Sequence, residues 1–147
     1  MKAKLTHNYQ SVIDRCYSSD KDLLERWHII APTTLNQASL HTLIVFNTSS
    51  SFKMYELTEK GRFIGYFGTT ETDIKYVQGF FIMPAFRNKA IYDSFFEKIK
   101  QVLSSTVIIP VYAKNTRACN FLERNNCTLV HTVEGKDEIK VYKIIEK

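Results

Sequence analysis

GFFIMPAFRNKAIYDSFFEKIKQVL, from Gly79 to Leu103, combines three signals in one run of chain. An apolar segment stops at Pro84, a basic turn follows (Phe86, Arg87, Asn88, Lys89), and an amphipathic helix begins at once. Its stripe of Ile91, Phe95, Ile99, Val102 and Leu103 has helical spacing throughout. A strand that runs directly into a helix leaves the free N–H groups of the first turn, and the positive end of the helix dipole, facing whatever lies there. Such a junction suits an anion, and any chemistry in this chain is expected beside it.

Upstream, Phe52–Thr58 and Arg62–Thr69 are β-rich and joined by Glu59-Lys60-Gly61, a hairpin turn. A second turn around Glu71–Asp73 leads to a third antiparallel strand, Ile74–Met83, whose apolar end reads as central in the sheet. Downstream, Thr106–Ala113 is a strand reached by a direct helical crossover, and the two strands are therefore parallel. Asn115 caps a further helix through Asn126, with Ala118, Phe121 and Leu122 inward, and Asn126 takes a left-handed position at its end. Cys127–Val133 and Ile139–Ile145 form a closing hairpin through Glu134–Asp137. The first third reads as helical, over Tyr9–Tyr17 (Val12, Ile13, Cys16) and Asp20–Ile30 (Leu23, Leu24, Trp27, Ile30). Leu35–Phe46 fits a helix or a buried strand, with helix preferred, and Asn47–Ser51 is a loop.

Pro110 falls inside a strand that should be interior, where its missing N–H would interrupt a ladder. Either the strand is an edge, or it splays from Ile74–Met83 at that height. The second arrangement opens a V-shaped slot beside the helix N-terminus.

At 147 residues with 44% hydrophobic and 24% charged positions, the chain reads as one domain, 1–147, with a helical part over 1–50 and a sheet core over 52–145. The expected fold class is α/β (α+β). A net charge of +5 favours polyanionic partners without choosing among nucleotides, nucleic acid and acidic surfaces. No helix shows an ordered basic face with interleaved aromatics, which argues against nucleic acid. Cys16, Cys119 and Cys127 have no metal-like spacing and read as free thiols of a reducing compartment. The N-terminus MKAKLTHNYQ lacks an apolar core of secretory type, and no apolar run approaches a membrane span. A soluble, cytoplasmic protein without a metal is expected, and oligomers are left open.

Two motifs carry a resemblance. Ile82-Met83-Pro84-Ala85-Phe86-Arg87-Asn88-Lys89-Ala90 resembles the V-x-P-x-[YF]-R-G-K-G of the GNAT superfamily of acyl-coenzyme-A N-acyltransferases, and Asn115-Thr116-Arg117-Ala118-Cys119-Asn120-Phe121-Leu122 resembles its N-x-x-A-x-x-F-Y. The resemblance spans Phe52 to Ile145. It implies a mixed, mostly antiparallel sheet with a splayed parallel pair, flanked by helices. It also implies an acetyl-CoA or other acyl-CoA cofactor. Carried over by position, Phe81, Ile82 and Met83 would hold the pantetheine arm, Arg87, Asn88, Lys89, Ala90 and Ile91 the diphosphate, and Asn115 would sit beside the slot.

Departures from the family pattern bear on activity. Glycines in that turn let backbone approach a diphosphate closely, whereas this chain has Asn88, Ala90 and Tyr92. Where many members carry a tyrosine that protonates the departing thiolate, it has Leu122, which has no proton to give. Glu56, Glu71, Asp73, Tyr76, Gln78 and Tyr112 are candidates to take the amine proton, and none is singled out. The catalytic residue is thus unassigned. Two functions compete. One is N-acyl transfer to an amine of a protein or small molecule. The other is a GNAT-fold binding or assembly module without catalysis, similar to small bacteriophage-encoded GNAT-like proteins, some associated with virions.

Overall fold

The computed structural model describes residues 1–20, 51–72, 75–104, 107–135 and 138–144. The chain runs β1 (Lys2–Thr6), α1 (Tyr9–Ser18), β2 (Phe52–Glu59), β3 (Arg62–Glu71), β4 (Lys75–Ile82), a 3-10 turn (Pro84–Phe86), α2 (Lys89–Leu103), β5 (Ile108–Tyr112), α3 (Thr116–Arg124), β6 (Cys127–Val133) and β7 (Ile139–Ile144). Of the expected helix over Asp20–Ile30 only Asp20 is among the described residues, and the expected helix over Leu35–Phe46 lies outside them.

The strands form one seven-stranded sheet in the order β1-β2-β3-β4-β5-β7-β6. Every neighbouring pair is antiparallel except β4 with β5. This matches the mixed α/β class and the splayed parallel pair expected from the motifs. One element corrects the sequence reading: the N-terminus, expected to contribute only helix, begins with strand β1 on β2. Lys2-Ala3-Lys4-Leu5-Thr6 is short and lysine-bearing, so its β signal is weak. It is stable there because β2 supplies a ladder and the terminal ammonium ion-pairs with Glu59 at 3.2 Å.

Two cores lie on opposite sheet faces. On one, the α2 stripe of Phe95, Ile99 and Leu103 meets Leu57, Phe67, Val77, Ile82 and Ile109, with Leu122 of α3 and Tyr142 of β7. On the other, Val12, Ile13, Cys16 and Tyr17 of α1 cover Met54, Phe63, Tyr66 and Phe81. Burial pushes the Cys16 thiol from 9.0 up to about 12, and Tyr66 is likewise raised by burial and by its contact with Tyr17. The folded chain therefore holds this thiol protonated. The stabilisation is complete below pH 9 and is lost as pH rises through about 12. Melting temperatures should fall progressively across that alkaline window, and Cys16→Ala should flatten the fall. An identical pH profile for the variant would show that the thiol is not responsible.

Candidate functional site

β4 and β5 share a single bridge, Tyr76 to Ile108. Just beyond it the β3–β4 register shifts: Gly68 opposes Gly79, but Thr69 opposes Val77, leaving Gln78 as the extra residue. A bulge re-aims the strand that carries it. Here β4 swings away from β5 for the rest of its length. Pro110 sits two residues past the last bridge and pairs with Val141 of β7 on its other side. Its missing N–H thus leaves no gap in a ladder, and β5 is interior as the splayed reading requires.

Ladder alternation determines which main-chain groups line the opening. The Met83 N–H donates to the Ile64 carbonyl at 2.8 Å, and alternate residues from there, Phe81 among them, turn their groups to β3. Phe80 and Ile82 turn theirs towards β5. Of the three residues expected to hold a pantetheine arm, Ile82 faces the opening, whereas Phe81 and Met83 pair with β3. Phe80, which the motif did not mark, also faces the opening.

The turn after β4 is held by its own contacts. Arg87 N–H donates to Pro84 O and Asn88 N–H to Phe86 O. The Asn88 side chain caps α2, its Oδ1 accepting from Ile91 N–H at 3.0 Å. Among the described residues, the Lys89 and Ala90 N–H groups have no partner. Lys89 Nζ lies 2.8 Å from Asp93 on an exposed surface, a pair of little energetic weight. Of the five residues expected around a diphosphate, Lys89 and Ala90 thus offer free donors, and Asn88 occupies the donor of Ile91.

The Arg87 side chain points inward. Its Nε donates to the Ile82 carbonyl at 2.7 Å, one Nη donates to Asp20 Oδ2 at 2.8 Å, and its guanidinium lies 5.1 Å from the Phe81 ring centre. The motif gave no hint of Asp20, 67 positions away. Asn115 Oδ1 accepts from Ala118 N–H at 3.2 Å, so its side chain caps α3. Tyr92 lies edge-on to Phe121, ring centres 4.5 Å apart, and Phe121 also meets Phe80 and Phe96. This aromatic chain joins α2, α3 and β4 on the helical side of the opening. Leu122 is fully buried. Glu71 accepts from Tyr55 and Thr69, both at 2.9 Å, and Asp73 lies outside the described residues. A surface hollow lined by Thr116, Arg117, Asn120, Glu123 and Arg124 lies along α3 and does not include the opening.

No protein-family model matches the sequence, and no curated protein matches it. Solved structures do match. An acetyltransferase from Thermus thermophilus superposes with a TM-score of 0.70 at 14% identity, over 97% of this chain and 96% of that one. The chain has the GNAT acyltransferase fold. A Salmonella typhimurium acetyltransferase that modifies the N-terminal serine of a 50S ribosomal subunit protein gives 0.65 at 14% identity, covering 99% and 96%. An acetyltransferase from Bacillus anthracis str. Ames, in complex with acetyl coenzyme A, gives 0.54 at 10% identity, covering 70% and 67%. In this GNAT fold, therefore, both motifs sit on the elements the sequence resemblance implied. Among the described residues there is no cluster of three His, Cys, Asp or Glu side chains suited to a metal, and no helix long and apolar enough to cross a membrane.

Proposed function

We propose that the chain is an N-acyltransferase that uses an acyl-coenzyme A thioester and an amine acceptor. The observation that carries this reading is the parting of β4 from β5 after one bridge, next to a turn with two unpartnered N–H groups. The donor set suits such a ligand: Lys89 and Ala90 N–H groups with the α2 dipole for a diphosphate, and the main-chain groups of Phe80 for the amides of a pantetheine arm, the Ile82 carbonyl being held by Arg87 Nε. Coenzyme A thioesters supply an activated acyl carbonyl. The Ile82 N–H, which points into the opening, would polarise that carbonyl. Leu122 gives no proton, so transfer would rest on positioning by the two strands rather than on acid catalysis.

A second reading is favoured by particular contacts. Arg87 is committed to Asp20, and Tyr92 abuts Phe121 beside the opening. Both suit a GNAT-fold module that binds without turnover.

Lys89 provides the test. It is the first helical residue, where proline is tolerated, and Asn88 before it is already extended at φ −144° and ψ 168°. Lys89→Pro removes one candidate donor without breaking α2, while Lys89→Ala removes the charge and keeps the N–H. In calorimetry with acetyl-coenzyme A, Lys89→Pro should bind roughly 10-fold more weakly than Lys89→Ala, the worth of a hydrogen bond to a charged group. Equal affinities would move the diphosphate elsewhere. Binding without acyl transfer to any amine would favour the module.

A further inference from the structure

Past its bridge to β5, β4 has a strand partner on one side only. Ile82 is 3% exposed there, and its N–H and C=O both turn to the gap. A main-chain carbonyl so placed requires a partner. A side chain supplies it, since Arg87 Nε donates to Ile82 O at 2.7 Å. The guanidinium is itself held by Asp20 Oδ2 at 2.8 Å and by the Phe81 ring, whose centre is 5.1 Å away. Asp20 follows Ser19, the C-cap of α1, and its N–H donates to Tyr17 O. Its side chain is 4% exposed. Tyr17 in turn packs on Phe81, ring centres 5.8 Å apart, and its hydroxyl meets that of Tyr66 at 3.3 Å. Asp20 is thus anchored to α1, on the sheet face opposite α2.

We infer that Asp20 is a positioning residue for acyl transfer: through Arg87 it fixes the direction in which Ile82 presents its N–H to the thioester carbonyl. The inference rests on the acyltransferase reading. The peptide between Ile82 and Met83 is held at both ends, by Ile64 O on the Met83 N–H and by Arg87 on the Ile82 carbonyl. With that plane fixed, the adjoining Ile82 N–H is kept towards the gap although no β5 residue pairs with it. A donor set in advance needs no reorganisation during reaction. A displacement of about 1 Å at such a group costs on the order of 100-fold in rate. Only a fork-shaped cation serves a carboxylate and a carbonyl together, which is why Arg87 suits the place. The polarising donor is therefore set from α1, while the candidate diphosphate donors belong to α2.

Two NMR measurements on the full chain test this. In the free protein, a coupling across the hydrogen bond from Arg87 Nε to the Ile82 carbonyl carbon should be present, and Asp20→Asn should abolish it. With acetyl-coenzyme A isotope-labelled at its thioester carbonyl, that resonance should move downfield on binding the wild-type chain. Asp20→Asn should still bind, through the donors on α2, but without the downfield move. Should Asp20→Asn fail to fold, Asp20→Asn with Arg87→Gln leaves neither charge unpaired and gives the carbonyl readout. A wild-type chain lacking the coupling, or Asp20→Asn retaining it, would overturn the inference whatever binds. So would wild-type binding without a downfield move, a variant that keeps the move, or a folded variant that no longer binds. If the coupling is present but acetyl-coenzyme A does not bind the wild-type chain, the acyltransferase reading fails and takes the positioning role with it.

Discussion

Gly65→Ala should leave little folded protein, with a loss of roughly 3–5 kcal/mol in urea unfolding. Gly65 adopts φ +156°, and a Cβ there would stand 1.9 Å from the Phe81 carbonyl oxygen and 2.9 Å from its carbon. Both are backbone atoms of the neighbouring strand, so no side chain can move aside. β3 and β4 would have to separate where β4 delivers Ile82 to the opening. A domain of this kind is stable by only about 5–15 kcal/mol in total. Gly79→Ala is the control: nothing lies within 4 Å of its added Cβ, and its cost should stay at about 1 kcal/mol or less. Equal losses at the two glycines would contradict the strand geometry.

Arg87→Ala should destabilise by about 3 kcal/mol, because it takes the guanidinium away from the buried Asp20 carboxylate. The side chains are 20% and 4% exposed, and the guanidinium also ties to the Ile82 carbonyl. Arg87→Lys should recover only part of the loss, since an ammonium cannot reach both acceptors with fork geometry. Arg87→Ala combined with Asp20→Asn should be more stable than Arg87→Ala alone, as a double-mutant cycle would report. Additive losses would mean that the two side chains act independently. The consequence for function is specific. Weak cofactor binding by an Arg87 variant would reflect a loosened turn, and only a variant of normal stability can report a phosphate contact.

What was legible in the sequence follows from how local each signal is. The β4–turn–α2 junction, the α2 stripe, the cap at Asn115 and the left-handed Asn126 are set by residues within one or two turns, and all appear as read. Pro110 correctly marked where β5 leaves β4, because a missing N–H constrains only its own rung. Strand β1 was missed because five residues with two lysines gain their stability from β2, a partner about fifty positions away. The Arg87–Asp20 pair was missed for the same reason, since nothing near either residue announces the other. Main-chain direction in β4 depends on register with β3, which the motif does not encode. Hence Phe81 was favoured where Phe80 faces the opening. The Phe80–Phe121–Tyr92 aromatic chain likewise joins three elements whose proximity exists only in the folded chain.

Amide resonances followed by NMR during titration with acetyl-coenzyme A test the cofactor site most directly. Phe80, Ile82, Lys89 and Ala90 should show the largest shifts, marking a ligand that runs from the α2 N-terminus into the gap between β4 and β5. No shifts at millimolar ligand, or shifts gathered around Arg117 and Arg124 on the outer side of α3, would contradict the account.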